Sequence, residues 1–245
     1  MTLENHFGEA VAARYDESSG EMFDPAIVGA TVDFLAALAG DGAALELGVG
    51  TGRIALPLSE RGVRVHGIDL SEAMLARLRE KPGADRIEVS VGDFSTTTVA
   101  GSFSLAYLVF NTIMNLTTQD AQAACFENVA AHLEPGGCFV IEVGVPSLRR
   151  LPPGETLAPI GLSERYIGVD EFDVATQRLV SHHVTLFADG TYRRNSIPFR
   201  YVWPEELDLM AGGAGLRLRE RWAGWKREPF THESTQHVSV WERIR

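Results

Sequence analysis

Two features that mark other protein classes are scarce in this sequence of 245 residues. It has only two cysteines, Cys125 and Cys138, and no apolar run reaches the ~18 residues needed to cross a bilayer. Two thiols are too few for a disulfide framework or a cysteine-based zinc site, so we expect buried free thiols and no bound metal. The first residues lack the basic segment and apolar core of a secretory signal. We therefore expect a cytoplasmic protein with no membrane partner.

Positive charge is also scarce. The chain carries 22 lysines and arginines against 33 aspartates and glutamates, a formal net charge of −11. Nucleic-acid binding depends on basic side chains that neutralise phosphates, so we expect no nucleic-acid partner. The hydrophobic content of 45% and charged content of 22% are ordinary for a globular protein. The expected partner is a small-molecule substrate, and a homodimer is left open.

Glycine is concentrated where it can shape a ligand site. Residues 43–47 form a short apolar run with one glutamate, which predicts a buried parallel strand. Gly48, Gly50 and Gly52 follow, and the apolar residues 54–56 then open a helix. A strand, a glycine-rich turn and a helix N-terminus bring bare backbone and free N–H groups against a ligand.

The glycine spacing separates the ligand classes that use such a turn. A dinucleotide fingerprint needs glycine at its first, third and sixth positions, but the sixth position from Gly48 is Arg53. A phosphate-binding P-loop would end in Gly-Lys-Ser/Thr, which this stretch lacks. Both interpretations are disfavoured.

Acidic residues at two predicted strand ends indicate a different ligand. Glu46 precedes the glycines, Asp69 closes the strand 63–68, and Gly92-Asp93-Phe94 follows the alternating residues 86–91. Open parallel sheets bind ligands at these carboxyl ends. The pattern Glu-x-Gly-x-Gly-x-Gly with an acidic residue about twenty positions later resembles the class I S-adenosylmethionine (SAM) dependent methyltransferases. The resemblance covers residues 10 to 145 motif by motif and the remainder only in outline.

The resemblance implies SAM as cofactor, S-adenosylhomocysteine (SAH) as product, and a set of contacts. Asp69 is suited to the ribose diol, because one carboxylate can accept two hydroxyl protons. Asp93 is expected at the adenine amino group, and Tyr15 at the methionine end. The expected cofactor-binding set is Tyr15, Glu46, Gly48, Gly50, Gly52, Arg53, Asp69, Leu70, Gly92, Asp93, Phe94, Phe110 and Asn111.

The chain predicts an α/β fold with a doubly wound, mostly parallel seven-stranded sheet and an inserted antiparallel hairpin lid. Strands and helices alternate up to Val143, after which prolines at 146, 152, 153 and 159 indicate a loop. Asp189-Gly190 then joins two extended runs, 178–188 and 191–201, as in a hairpin. We expect residues 1–143 and 202–245 to bind the cofactor. Residues 144–201 are expected to cover the active site and select the substrate, as such insertions do in the resembled family.

The catalytic group is the hardest feature to predict, because methyl transfer depends mostly on positioning. Asn115 is one candidate, and His182 and His183 on the hairpin are the others. Strand alternation sends the two histidines to opposite faces, and the apolar residues Val180 and Val184 place His182 on the buried face. For His182 the residues favour a packed neutral histidine held by one hydrogen bond, although a pKa near neutrality would also suit a base.

The predicted function is transfer of a methyl group to an oxygen or nitrogen atom of a small molecule. Residues 110–116 lack the Pro-Pro-Tyr/Phe signature of enzymes that methylate exocyclic amines. They resemble instead the aminosugar N,N-dimethyltransferases of antibiotic pathways, although those carry a histidine where Asn115 stands. The alternatives are therefore an aminosugar N-methyltransferase and a non-catalytic module that binds SAM or SAH.

Overall fold

The computed structural model describes residues 7–18 and 20–244. In chain order the strands are β1 (Ala43–Leu47), β2 (Arg64–Asp69), β3 (Ile87–Val91), β4 (Phe103–Leu108), β5 (Leu133–Gly144), β6 (Leu157–Ser163), β7 (Tyr166–Asp173), β8 (Arg178–Leu186), β9 (Tyr192–Arg200), β10 (Leu216–Trp222) and β11 (Gln236–Arg243). The helices are α1 (Glu9–Ala12), α2 (Tyr15–Ser18), α3 (Pro25–Ala39), α4 (Ala55–Glu60), α5 (Glu72–Arg79), α6 (Gln119–His132) and α7 (Pro204–Gly213).

Seven strands form the central sheet in the order β10-β11-β5-β4-β1-β2-β3. The five strands β1 to β5 are parallel to one another, whereas β11 runs antiparallel to both β5 and β10. This confirms the predicted doubly wound, mostly parallel sheet. The strand order changes direction between β1 and β4, which is where open α/β sheets bind ligands.

Apolar residues cover both faces of this sheet, as a parallel sheet requires. On one face, Leu35 of α3, Leu58 of α4 and Leu75 of α5 are fully buried. On the other, Phe126 of α6 and Leu207 of α7 pack on the strands. Cys125 and Cys138 are buried free thiols. No helix among the described residues is both long enough and apolar enough to span a bilayer.

A second, antiparallel sheet with the order β6-β7-β8-β9 lies in the chain between β5 and α7. The predicted hairpin is its β8–β9 half, and the turn holds Gly190 at φ +82° with Asp189 Oδ1 accepting from the Thr191 N–H. The prediction missed β6, because Pro159 indicated a loop there, and it assigned no strand to residues 166–173, where β7 lies. Pro159 lies in β6 and Pro198 in β9, the two edge strands of this sheet. An edge strand tolerates a residue that cannot donate a ladder hydrogen bond.

The face of β8 that is buried is the opposite of the predicted one. Leu179 and Ser181 are buried at 7% and 6% exposure, and Leu179 packs with Phe172 of β7. His183 shares their face, because residues two apart on a strand point the same way. His182 lies on the other face, where it contacts Glu171 and Ser196 across the neighbouring strands. Val180 and Val184 are only half-buried, so their apolar character gave the wrong face.

Candidate functional site

The glycine turn lies at the carboxyl end of β1 in conformations that favour glycine. Gly48 has φ +71°, and a Cβ at this position would lie 2.7 Å from Thr112 Cγ2. Gly50 has φ +55°, and its N–H donates to Asp69 Oδ2 at 2.7 Å. The turn is therefore in contact with the end of β2 and with the segment that follows β4.

Asp69 is held by backbone groups on both sides of its carboxylate. Oδ2 accepts from Gly50 N–H and Oδ1 accepts from Ser71 N–H at 2.8 Å. Burial raises the pKa of Asp69, and these N–H groups oppose the rise. Each carboxylate oxygen carries two lone pairs and so accepts more than one donor. The Leu70 N–H is a third backbone donor to this carboxylate, which still retains acceptor capacity for a ligand hydroxyl.

The third strand end carries Asp93 in a turn of its own. Asp93 Oδ1 accepts from both the N–H and the hydroxyl of Ser95, at 2.8 and 2.7 Å. Gly92 leaves space for Thr97, whose Oγ1 would lie 2.2 Å from a Cβ at position 92. Phe94 is buried at 8% exposure beside the glycine turn. Half-buried Leu70 follows Asp69, so these predicted residues come together at one edge of the sheet.

Glu46 lies beneath the glycine turn and is 2% exposed. Its Oε2 accepts from the Tyr107 hydroxyl at 2.9 Å, and the Ala55 N–H at the start of α4 also bonds to it. Burial raises the pKa of Glu46 to about 8, against these hydrogen bonds and the charge of Arg53. The sequence analysis missed Tyr107, which pairs directly with Glu46 in the β1–β4 register.

Arg53 contacts protein groups rather than standing free for a carboxylate ligand. Its Nη1 donates to the Met22 carbonyl at 3.0 Å. Its guanidinium carbon lies 6.0 Å from the centre of the Phe23 ring and 5.8 Å from that of Phe110, close to the upper limit for a cation–π contact. Phe110 remains 46% exposed. The arginine therefore joins the N-terminal segment to the end of β4.

Side-chain contacts hold the N-terminal helix α2 against the glycine turn. Asp16 accepts from the Thr51 hydroxyl at 2.6 Å and pairs with Lys81, and Lys81 Nζ also donates to the Thr51 carbonyl at 2.8 Å. Burial raises the pKa of the neighbouring Tyr15, with Asp69 adding to the rise and Arg53 opposing it. The predicted Tyr15 thus lies among the strand-end charges. The sequence analysis did not anticipate the Asp16 contacts.

The segment after β4 has an uncommon backbone. Phe110 and Asn111 both have positive φ, +55° and +60°, which costs on the order of 1 kcal/mol or more for residues with a Cβ. Two groups of β5 hold this conformation. Glu142 Oε2 accepts from Phe110 N–H at 2.9 Å, and Asn111 Oδ1 accepts from Gly144 N–H at 2.7 Å. Asn115 donates to the Thr112 carbonyl at 3.2 Å.

The second sheet is attached to this edge through a buried ion pair. Arg200 is 5% exposed and pairs with Glu206 of α7 at 2.7 Å. Its Nη1 also donates to Gln122 of α6 at 2.6 Å, and Nη2 donates to Gln177 at 3.1 Å. Beside this joint, Phe172, Leu179 and Tyr201 pack with Met114, Leu148 and Leu151.

This chain is similar to known proteins both in its first half and over nearly its whole length. The family profile described as "Methyltransferase domain" matches residues 44–137. The structure of the CcbJ methyltransferase from Streptomyces caelestis is 37% identical, with a TM-score of 0.88 over 99% of this chain and 100% of that one. This chain belongs to the class I SAM-dependent methyltransferases.

Two further proteins show which kinds of methyltransferase this chain is similar to. A cypemycin N-terminal methyltransferase from Streptomyces sp is 28% identical over 204 residues, 81% of this chain and 82% of its own. The SAM-bound structure of CalS10, an amino pentose methyltransferase from Micromonospora echinaspora, has a TM-score of 0.70 at 23% identity over 99% of this chain and 100% of that one. The latter supports the fold alone.

SAM is the cofactor of this methyltransferase, and the chemistry of its strand ends fits that group. Asp69 offers two fixed carboxylate oxygens for a diol, and the Gly48 backbone has no side chain to obstruct a ligand. Buried Glu46 lies beneath the glycine turn, where a positively charged group of the cofactor would favour its ionised form.

Proposed function

We propose that this methyltransferase transfers a methyl group to an amine nitrogen of a small natural-product molecule. SAM supplies an electrophilic methyl on a sulfonium, and an enzyme must hold the nucleophile about 3–3.5 Å from it and in line. In this assignment Asp69 holds the ribose diol, Asp93 the adenine amino group, and Glu46 lies under the methionine arm. Tyr15 and Phe110 border the space next to the methyl.

The observation that carries the choice of nitrogen is the engagement of both asparagines after β4. Asn111 is bound to Gly144 and Asn115 to the Thr112 carbonyl, and an amide is in any case a poor base. An alcohol is a very weak acid and needs a strong base or a metal, whereas an ammonium needs only a weak base. The described residues contain no group of three or more metal-ligating side chains that could bind a metal.

The names of the relatives agree with an amine acceptor. One is an N-terminal methyltransferase, and structures with the same fold include a sugar N-methyltransferase and a glycopeptide N-methyltransferase. The second sheet, residues 157–200, would then select among amines, in keeping with the predicted division at residues 144–201. The cofactor would be held by the remainder of the chain.

Matched pairs of acceptors test the nitrogen assignment. The purified protein is incubated with SAM and with alaninamide or lactamide, or with the methyl glycoside of an amino sugar or of glucose. Each pair differs in an amine replaced by a hydroxyl. Mass spectrometry should find methyl groups on an amine compound and none on its hydroxyl partner, with equimolar SAH. Methylation of the hydroxyl partners, or of none of the amines, would overturn the proposal.

A further inference from the structure

Phe110, shortly after β4, combines an uncommon backbone with a side chain that the protein leaves largely uncovered. Its φ of +55° lies in the left-handed region, which bulky residues avoid and glycine adopts freely. Its ring is 46% exposed, so burial in the core does not offset the cost of this conformation. Such conformations persist only where surrounding groups hold them, and they cluster at functional sites. The exposed ring is therefore available to a ligand.

Two contacts place Phe110 at the cofactor edge of the central sheet. A Cβ at Gly48 would lie 2.7 Å from Thr112 Cγ2, so the segment after β4 touches the glycine turn. The Phe110 ring centre lies 5.8 Å from the guanidinium carbon of Arg53, which follows that turn. β4 borders β1 on the side away from β2 and β3. With the ribose at β2 and the adenine at β3, as proposed above, the β4 side is left to the acceptor.

Glu142 on the neighbouring strand β5 holds the backbone of this segment. Its Oε2 accepts from the Phe110 N–H at 2.9 Å, and its carbonyl accepts from the Asn111 N–H at 3.1 Å. A third bond runs from the Gly144 N–H to Asn111 Oδ1 at 2.7 Å. Of these three bonds, the one to Phe110 depends on a side chain of β5. Glu142 therefore determines where the Phe110 amide lies, and with it the ring.

The other oxygen of Glu142 is held by a residue far along the chain. Glu142 Oε1 accepts from the Trp225 indole N–H at 2.8 Å. Trp225 lies in the connection between β10 and β11, is 8% exposed, and packs edge to face against Phe34 of α3 with ring centres 5.4 Å apart. Packing thus fixes the indole, and the indole fixes the carboxylate. Trp225, Glu142 and Phe110 form one row of contacts from α3 to the cofactor edge.

The two donors that meet at Glu142 require a carboxylate rather than an amide. An ionised glutamate accepts at both oxygens, whereas a glutamine of the same shape has one acceptor oxygen and one amino group. With glutamine at this position, the amino group would face either the Phe110 N–H or the Trp225 N–H, donor against donor. The acidic side chain therefore serves to hold two N–H groups at once.

We propose that Glu142 is a positioning residue for methyl transfer, held by Trp225 and acting through Phe110. By fixing the Phe110 amide, it keeps the aromatic ring where the acceptor amine meets the methyl group of SAM. The inference rests on the proposed function, which places Phe110 beside the methyl. The nucleophile must be held about 3–3.5 Å from the methyl and in line, so displacement of the ring affects the rate more than the binding of either ligand.

Glu142→Gln removes the second acceptor oxygen with little change in volume. It should lower kcat for the amine that reacts fastest in the acceptor panel by about 10- to 100-fold, because a displacement of about 1 Å can cost that much. The KM for that amine and the affinity for SAH should stay within a few-fold of the parent. A loss of SAH affinity as large as the loss of kcat would overturn the proposal.

Trp225→Phe tests the row from its far end. The substitution keeps an aromatic ring against Phe34, removes the indole donor, and should lower kcat by a few-fold. In the double variant Glu142→Gln with Trp225→Phe, the glutamine amino group no longer faces a donor, and its oxygen can turn to the Phe110 N–H. The double variant should therefore be faster than Glu142→Gln alone by at least about three-fold, whereas independent sites would combine their losses. A double variant no faster than Glu142→Gln would overturn the proposal.

Trp222→Phe is the matched control for the loss of an indole donor. The Trp222 indole N–H also donates to a carboxylate, Glu220 Oε2, at 2.9 Å. In the described part of the chain, neither residue hydrogen-bonds to the segment after β4. Trp222→Phe should therefore change kcat by less than about two-fold. A defect as large as that of Trp225→Phe would show that the row is not what matters and would overturn the proposal.

A measurement without turnover distinguishes this inference from the proposed function. In nitrogen-15 NMR of the SAH-saturated protein, Trp225→Phe and Trp222→Phe identify the two indole signals. Glu142→Gln should shift the Trp225 signal and leave the Trp222 signal in place. An unmoved Trp225 signal would overturn the inference even if amines are methylated. A shifted signal without methylation of any amine would instead locate the error in the proposed function.

Discussion

The glycine-turn edge and the second sheet hold their polar groups by different means. At the glycine turn the carboxylates are fixed by backbone, with Gly50 and Ser71 donating to Asp69 and Ala55 to Glu46. In the second sheet the polar groups hold one another through side chains. Where backbone N–H groups hold the polar side chains, strand order and glycine positions determine the site. Where side chains hold one another, the site depends on the exact register of two strands. The first suits a constant cofactor, and under the proposed function the second suits an acceptor that differs between enzymes.

The largest expected effect is a loss of stability when the ion pair that joins the two regions is broken. Arg200→Met leaves Glu206 buried without its cation, and breaking such a pair costs about 3 kcal/mol. Chemical denaturation should show this loss. SAH affinity, measured by calorimetry, should stay within a few-fold, because the Asp69 edge is untouched.

The double variant Arg200→Met with Glu206→Gln is the control for this prediction. It removes both charges and should recover part of the lost stability. A large loss of SAH affinity in Arg200→Met would show that the cofactor edge depends on the second sheet, contrary to the comparison above.

Removal of the Asp69 carboxylate should have the next largest effect. Hydrogen bonds to an ionised acceptor are worth about 1.5–3 kcal/mol, so Asp69→Ala should weaken SAH binding about 10- to 150-fold. Asp33→Ala, which removes only an exposed pair with Arg61, should have no effect on SAH. Unchanged SAH affinity in folded Asp69→Ala protein would refute the ribose assignment.

Two buried groups should produce opposing pH dependences of stability. Burial raises the pKa of Glu46 to about 8 and lowers the pKa of His237 to about 3. The Glu46 contribution is full below its unfolded value near 4.5 and is lost as pH rises toward 8. The His237 contribution is full above its unfolded value near 6.5 and is lost as pH falls toward 3.

Between pH 5 and 7 these two contributions should nearly cancel in the parent protein. At 1.36 kcal/mol per pKa unit, each changes the free energy of unfolding by about 2 kcal/mol over this interval, in opposite directions. His237→Phe should therefore lose stability from pH 5 to 7, and Glu46→Gln should gain it. Urea titrations at both pH values measure this, and slopes of the same sign in the two variants would contradict it.

The smallest expected effect is on SAH affinity when the contacts that hold the N-terminal helix α2 are removed. Asp16→Ala removes the contacts to Thr51 and Lys81, which lie partly in solvent, and pairs of this kind contribute about 0–1 kcal/mol. SAH affinity should fall by no more than about five-fold. A loss as large as that of Asp69→Ala would make α2 an equal part of the cofactor site.

The sequence predicted the central sheet and its strand-end residues because their signals are local. Asp69 and Asp93 follow short apolar strands, and glycine spacing identifies the turn after β1. The second sheet was predicted only in its β8–β9 half, since Asp189-Gly190 marks that turn and Pro159 obscured β6. The buried face of β8 was predicted wrongly, because half-buried Val180 and Val184 resemble core residues. Tyr107 and Glu142 could not be found, since their roles come from contacts between segments distant in sequence.

The prolines in the two outer strands of the second sheet have a consequence for how copies of this chain can meet. An open strand edge is a template on which another chain can add a strand, and the second sheet has two such edges, β6 and β9. Pro159 and Pro198 each remove a donor from one of them. Extension of the sheet from molecule to molecule is thereby discouraged at both ends. Contacts between copies at this sheet would therefore rest on side-chain surfaces rather than on an added strand, and exposed residues of the second sheet can vary without the sheet polymerising.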